Sequence, residues 1–343
     1  MTASEQILAG VAEAVGLAEG VAGVRDVVLT VARAEPIAVR RLSRAAELPV
    51  PIVSAICNEL RKRDVVARER PVRLTPRGRE LFATGARPLE AACKTCAQRE
   101  IVVPRELAPV RRELERMALA VPARRVELDQ VHCDVETKLR RALALHEACA
   151  LEGRRVLLLG DDDLTSVAIR LVIDYTGVRP ARLTVVEIDP ALAAFLARSL
   201  RRAPFPVEVI RHDLRDPLPE RLCGAIDTVF TDPPYTPEGA ALFLSRAAQA
   251  VAGAARGDVF LAFGARRPED TLRVQRTIAE LGFVVRSLVR NFNDYLGAGA
   301  LGGVSHLYQL VGTAELRPLV GGRYDGPLYT GDFSKPVRRI RAR

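Results

Sequence analysis

Carboxylates recur at four places in the second half of the chain, each directly after an apolar run. Gly160-Asp161-Asp162-Asp163 follows "RRVLLL", and Glu187-Ile188-Asp189 follows "RLTVV". His212-Asp213 follows "VEVIR", and Asp232-Pro233-Pro234-Tyr235 follows "AIDTVFT". Such groups can hold an ammonium, or take a proton from an amine so that its lone pair is free to react. A single acidic run reads as a solvated face. Four of them at equivalent positions, in a chain of net charge +9, predict a site for a cationic ligand set, because clustered carboxylates repel an anion.

The elements that position these groups are legible from 154 onward. Apolar runs of strand length alternate with segments of helical spacing: "LTSVAIRLVIDYTG", "PALAAFLARSLRRA", "PEGAALFLSRAAQAVAG" and "PEDTLRVQRTIAELG" lie between strands, and "FVVRSLVRNF" and "VSHLYQLVG" close the pattern without a helix between them. Repeated alternation implies a parallel sheet covered on both faces, ending in an edge hairpin. The fold class is therefore α/β, a methyltransferase-like Rossmann domain. Upstream, residues 24–82 have the pattern of a winged helix: three helices ("VRDVVLTVARA", "VRRLSRAAEL", "IVSAICNELRKRDVV"), then a two-stranded wing and a closing helix in "VARERPVRLTPRGRELF". The division expected is a winged-helix-like domain at 1–90, a junction with a leading helix at 91–153, the catalytic domain at 154–330 and a basic tail at 331–343.

Composition narrows the class. The apolar runs fall short of the roughly 20 residues of a membrane helix. "MTASEQILAGVAEAVGLAEG" carries Glu5, Glu13 and Glu19 in an amphipathic pattern without a basic start, so it reads as a helix and not a signal peptide. A cytoplasmic protein is expected. Six cysteines in 343 residues do not make a disulfide framework. "CKTC" (Cys93 to Cys96) has zinc-ligand spacing and His132-Cys133 offers two further donors, but a second CxxC is missing. A reduced pair at the domain junction and no catalytic metal are the expectation. Arginine far outnumbers lysine, which occurs only at 62, 94, 138 and 335; genome composition or adaptation to heat (a thermophile) accounts for that bias. The solvent face of the third N-terminal helix mixes Ser54, Asn58, Glu59, Arg61 and Lys62, so no specific nucleic acid is expected as a partner. Neither is a membrane. A homodimer is compatible with the chain, and nothing in the sequence fixes the oligomeric state.

Ligands of open α/β sheets sit beyond the C-terminal strand ends. An acid ending the second strand suits the two ribose hydroxyls of a nucleoside, and Glu187 is preferred to Asp189 for that role. Asp213 is placed for an adenine amino group. "DPPY" resembles the amine-handling loop of amino methyltransferases, which points to Asp232 and Tyr235. "GAGALG" (297–302) matches GxGxxG but does not follow the first strand of a βαβ unit, so it reads as a loop and not a dinucleotide motif. Asn293, Asp294 and Tyr295, just before it, add polar groups and a ring at a strand end.

"GDDDLTSVA", "VVEID", "DPP" and "RNFN-Y" together resemble the branched-chain polyamine synthases, the N4-bis(aminopropyl)spermidine synthases. "LDQVHCDVETKLRRALAL" is similar to that family's helix before the first strand, with Asp129 and Gln130 near the cleft. The resemblance implies a co-substrate, decarboxylated S-adenosylmethionine, with no tightly bound cofactor. Its tail is cationic, whereas the carboxylate of S-adenosylmethionine would face Asp161, Asp162 and Asp163. It implies aminopropyl transfer to a small-molecule polyamine, spermidine at its secondary amine, with release of 5′-methylthioadenosine. Asp162 is then the expected base, with Asp163 or Asp232 holding the neighbouring ammonium. Gly160, Asp161, Glu187, Asp189 and Asp213 are expected on the co-substrate, and Asp129, Tyr235, Asn293, Asp294 and Tyr295 on the polyamine. The chain departs from the family's pattern in two places. Tyr235 stands where an acid follows DPP, and the cysteine region is reduced. The competing readings are a methyltransferase using S-adenosylmethionine on amino groups of DNA or RNA, and a regulator that only senses a nucleoside or polyamine.

Overall fold

The computed structural model describes residues 3–82, 89, 91–93, 96, 100–251, 257–264, 267–296 and 303–333. The "GAGALG" stretch, the basic tail beyond 333 and the middle of "CKTC" lie outside the described residues. The chain forms two compact units, Met1–Glu90 with Thr176–Arg179, and Ala91–Tyr175 with Pro180–Arg343.

The first unit contains α1 (Ala3–Val15), α2 (Gly20–Ala34), α3 (Val39–Ala46), α4 (Val50–Lys62) and α5 (Pro76–Phe82). Val11, Val24, Val28, Leu42, Val53, Ile56 and Leu60 are fully buried in its core. α4 begins two residues before the apolar periodicity does, with Pro51 in its first turn, where a missing N–H costs no hydrogen bond. It also ends earlier than the run "IVSAICNELRKRDVV" suggests. Asp64 turns left-handed at φ 55°, and the Val65 N–H closes onto Leu60 O at 2.9 Å. Val66 then pairs with Leu74 and Ile37 with Val72, each antiparallel.

The second unit opens with α6 (Ala108–Ala118) and α7 (Val135–Glu147). It continues as β1 (Arg155–Leu159), α8 (Thr165–Thr176), β2 (Arg182–Glu187), α9 (Pro190–Leu200), β3 (Val207–Arg211), β4 (Thr228–Thr231), α10 (Pro237–Val251), β5 (Asp258–Phe263), α11 (Pro268–Glu280), β6 (Phe283–Asp294), β7 (Val304–Gly312) and α12 (Thr330–Phe333). The seven strands form one sheet of order β3-β2-β1-β4-β5-β7-β6. The first five are parallel, and β7 runs antiparallel between β5 and β6. This mixed sheet is that of a methyltransferase-like α/β fold. Its inner strands are nearly all apolar because both faces are covered. Leu157, Leu159, Val229 and Leu261 pack with Leu244, Ala247 and Val274 of α10 and α11, while the alternate residues Val156 and Leu158 are fully buried on the opposite face.

Register brings the acids together. Leu159 pairs with Val186 on one side and with Thr231 on the other. The next residues, Gly160, Glu187 and Asp232, therefore leave the sheet at one level. No single helix among the described residues is long and apolar enough to cross a membrane.

Candidate active site

A cavity of about 330 Å³ opens at these strand ends, within the second unit. Gly160, Asp162, Glu187, Ile188, Asp232 and Tyr235 form its floor and sides. Asp129 and Gln130, Tyr295, and Tyr329 with Thr330 complete the wall from outside the strand-end loops. Gly160 makes the first turn possible: it sits at φ 74°, a left-handed conformation in which a Cβ is disfavoured.

The three consecutive aspartates have three different environments. Asp161 turns back into the protein and is 3% exposed. Its carboxylate accepts the Ser166 N–H at 3.2 Å and the Ser166 hydroxyl, at the start of α8. The position where a helix N-terminus would receive a ligand's anion is thus filled by the chain's own carboxylate. Burial pushes Asp161 up to about 7, against the Ser166 hydrogen bonds. Asp163 is also buried. It accepts from Arg141 Nη1 at 2.7 Å and from the Cys133 N–H at 2.5 Å, and Lys138 Nζ lies 3.5 Å away. Burial alone raises its pKa, but Arg141 and Lys138 outweigh burial and hold the carboxyl well below the usual range. Asp162 lies between them on the cavity wall. Among the described residues none is hydrogen-bonded to its carboxylate or ion-paired with it. Burial, then repulsion by Asp163, Asp232 and Glu187, push its pKa well above the ordinary value.

Arg141 organises the opposite side. It is fully buried on α7, and besides Asp163 it donates to Asp232 Oδ2 at 2.7 Å, Asn293 Oδ1 at 2.8 Å and the Tyr295 hydroxyl at 2.8 Å. Its guanidinium also lies 5.3 Å from the Phe230 ring centre. The Tyr295 hydroxyl donates to Asp232 at 2.8 Å and receives the Tyr235 hydroxyl. Asp232 is thereby fixed by two donors. Burial lifts it to about 6 in spite of Arg141. Glu187 is fixed by backbone, accepting from the N–H groups of Asp161 at 3.0 Å and Asp189 at 2.8 Å. Burial raises its pKa and these N–H groups oppose the rise.

Several expected site residues are elsewhere. Asp161 and Asp163 do not line the cavity, for the reasons above. Asp189 caps α9, accepting from Ala191 N at 2.8 Å, and lies behind Gln130 of the wall, whose Nε2 donates to it at 3.4 Å. Asp213 accepts from Arg215 N at 2.9 Å within its own turn and is not part of the cavity wall. Asn293 is fully buried between Arg141 and Ser305, and supports the site from behind. Asp294 has an exposed side chain, and only its backbone reaches α7. Asp129 does line the cavity, but both its oxygens are held by Thr330, at 2.7 Å from the N–H and 2.6 Å from the hydroxyl.

Sequence reasoning missed Arg141, Lys138, Tyr329 and Thr330. The signal for the first two was two cations three residues apart in "TKLRRALAL", on the same helix as the buried Leu139, Ala142, Leu143 and Leu145. A buried helix tolerates such residues only when acids await them. No comparable signal marks Tyr329, which the chain brings back after the last strand. Among the described residues one set of thiol and acidic donors converges: Cys93, Cys96 and Glu100, with ligand atoms within 4.8 Å of one another. Cys133 is not among them. It is fully buried beside Lys138, and burial raises its pKa.

Sheet order, strand-end cavity and acid-rich lining together define an α/β protein of the methyltransferase-like class whose ligand site is acidic. Residues 110–313 match the family model of the branched-chain polyamine synthase A C-terminal domain, and the chain belongs to that family. It is 33% identical over 269 residues to the N(4)-bis(aminopropyl)spermidine synthase of Thermococcus kodakarensis, covering 76% of this chain and 74% of that protein. An uncharacterized protein of Methanocaldococcus jannaschii is 32% identical over 97% of this chain and 83% of its own length. Among solved structures, the Thermus thermophilus branched-chain polyamine synthase in complex with N4-aminopropylspermidine and 5′-methylthioadenosine aligns with 96% of this chain and 98% of its own, at a TM-score of 0.59 and 27% identity.

Proposed function

We propose that this protein is an aminopropyltransferase that makes branched-chain polyamines from decarboxylated S-adenosylmethionine and the secondary amine of spermidine, releasing 5′-methylthioadenosine. The observation that carries this reading is the division of labour in Gly160-Asp163. Asp161 occupies the helix N-terminus that would otherwise take a methionine carboxylate, and Asp162 alone faces the cavity unpaired. An acidic cavity whose adjoining helix N-terminus is already taken by Asp161 suits a co-substrate ending in an ammonium. The Thermus thermophilus relative, whose structure holds a product-like polyamine and methylthioadenosine, supports the same assignment.

In this mechanism the amine lone pair attacks the carbon bonded to the sulfonium. The C–N bond forms as the C–S bond breaks, and the electron pair of that bond goes to sulfur. The leaving thioether is neutral and needs no acid. Spermidine nitrogens are largely protonated near neutrality, so Asp162 takes the proton from the acceptor before attack. General-base help of this kind contributes about 10²–10⁴-fold. Fixing two cations side by side in a preorganised acidic site contributes through orientation and electrostatics. A second transfer to the same nitrogen converts a tertiary amine to a quaternary ammonium: the tertiary ammonium left by the first transfer must lose its proton, again to Asp162, before its lone pair can attack. Asp232, held by Arg141 and Tyr295, fixes a neighbouring ammonium. The rings of Tyr235 and Tyr295 lie along the methylene segments, and Glu187 accepts from the ribose.

We further read 1–90 as a winged-helix-like domain and 91–153 as a junction with the helix that carries Arg141 into the catalytic domain at 154–330. The protein is read as cytoplasmic, with no metal in the reaction. The test is direct. On mixing the enzyme with decarboxylated S-adenosylmethionine and spermidine, mass spectrometry should detect methylthioadenosine together with spermidine carrying one and two aminopropyl groups. Methyl transfer from S-adenosylmethionine to DNA or RNA, without methylthioadenosine, would establish the rival instead.

A further inference from the structure

The first unit carries a concentration of cations that the catalytic site does not use. On α3, Arg40, Arg41 and Arg44 are exposed and fall on one arc of the helix, opposite the buried Leu42, Ser43 and Ala46. The hairpin formed by the pairing of Val66 with Leu74 carries Arg68, Arg70 and Arg73, also exposed. Alternation in its second arm sends Val72 and Leu74 inward and leaves Arg73 on the solvent side. Val72 pairs with Ile37, two residues before α3 begins, so the hairpin arm and the helix start lie side by side. None of these six guanidinium groups has an ion-pair or hydrogen-bond partner among the described residues. The nearest acids are Glu35, which accepts from the Leu74 N–H of the hairpin and is paired with Arg79 at 2.8 Å, Glu47, just past the end of α3, and Glu69 in the hairpin.

Unpaired, exposed arginines side by side repel one another and are favoured where an extended polyanion meets them. The scaffold has the shape for one. α3 and α4 are joined by the three residues 47–49, the short turn of a helix-turn-helix pair, with the hairpin following. We infer that this face binds the sugar–phosphate backbone of double-stranded DNA without sequence preference. α3 and the hairpin supply the phosphate contacts.

Sequence readout is excluded by how α4 uses its polar groups. Asn58 accepts from Arg61 at 2.8 Å, and Glu59 takes both Lys62 and Arg63, at 2.5 Å each. Groups bonded to one another do not reach base edges, and Glu59 adds a charge that phosphates repel. A membrane surface is disfavoured as the partner, because Val50 is the only large hydrophobic residue exposed among the described residues of this unit. An interfacial helix needs an apolar face to insert.

The experiment uses the full-length protein and a fluorescent random-sequence DNA duplex, read by anisotropy across a salt series. Three variants are compared: Arg40→Ala/Arg41→Ala/Arg44→Ala, Arg68→Ala/Arg70→Ala/Arg73→Ala, and a control that removes the same charge from the end of α9 and the two residues after it, Arg198→Ala/Arg201→Ala/Arg202→Ala. Wild type should bind with a Kd of about 10⁻⁴–10⁻⁶ M at physiological salt, with affinity falling steeply as salt rises. Each of the first two triples should lower the magnitude of the log–log salt slope by about 2 to 3 and weaken binding at low salt by at least about tenfold, with methylthioadenosine release unchanged. The α9 control should bind as wild type does. Equal loss in the control would reduce the effect to net charge and overturn the inference. So would selection of a preferred sequence, tighter binding to single-stranded RNA, or equal binding to vesicles of one-third phosphatidylglycerol. Circular dichroism of each variant excludes unfolding as the cause of a loss.

Discussion

Asp162 is the one member of the aspartate triplet whose carboxylate has no partner among the described residues, and the direction of its pKa sets its use. Burial and repulsion by Asp163, Asp232 and Glu187 raise its pKa well above the ordinary value, and a cationic ligand beside it favours the ionised form. kcat/KM should therefore rise with pH. Asp162→Asn keeps the shape and removes the basicity, so turnover should fall at least about 10²-fold. Raising pH should partly rescue it, because more of the acceptor is then already deprotonated. Glu187→Gln should instead weaken co-substrate binding with a smaller effect on turnover at saturation. pH–rate profiles at saturating co-substrate check both; a loss confined to affinity in Asp162→Asn would move the base to Asp232. Arg141 gives a second test. Arg141→Met leaves Asp163 and Asp232 buried without their cation, and removing one partner of a buried pair costs about 3–5 kcal/mol. The sign with pH is fixed. Arg141 holds Asp163 ionised, a contribution present above the unfolded-state pKa and lost as pH falls. The destabilisation should thus be undiminished from pH 8 down to about pH 4 and shrink only as pH falls below that. Urea unfolding of both proteins across that range reads it; a loss independent of pH would mean that Arg141 acts only by packing.

α7 shows what the sequence can and cannot say about an element. Its existence follows from apolar spacing and from Asp134, which caps it by accepting the Thr137 N–H at 2.7 Å. Asp134→Ala should cost about 1 kcal/mol, within the 0.5–2 range for such caps, measurable as a shift of the urea midpoint. Its first turn also leads to Lys138, so activity should drop with it, and unchanged stability would show the cap to be dispensable. What α7 buries was not legible, because Lys138 and Arg141 meet acids 22 to 91 positions away and one chain's periodicity does not report such pairs. The strands were legible for the opposite reason. After their first residues, "RVLLL" and "DVFLAF" are apolar throughout, as two-faced burial demands, and the site acids end or directly follow β1, β2 and β4. Strand-end position did not predict side-chain direction, however. Asp161, Asp189 and Asp213 sit where expected along the chain and turn into backbone N–H groups of their own loops. Tyr329 and Thr330 arrive from after β7, beyond the alternating pattern.

At the scale of the molecule, charge is segregated and not averaged. A chain of net charge +9 lines its cavity with Asp129, Asp162, Glu187 and Asp232 and neutralises part of that charge internally through Arg141. Unpaired arginines collect on α3 and the neighbouring hairpin of the other unit. The acid excess selects cations, and Asp161 closes the anion position at α8. These two features make the central claim: the site is built for a co-substrate without a carboxylate. Calorimetric titration of the ligand-free enzyme with decarboxylated S-adenosylmethionine and with S-adenosylmethionine, at the same pH and salt, measures it. The decarboxylated compound should bind more tightly by at least about tenfold, or about 1.4 kcal/mol. Equal affinity, or tighter binding of S-adenosylmethionine, would contradict the account.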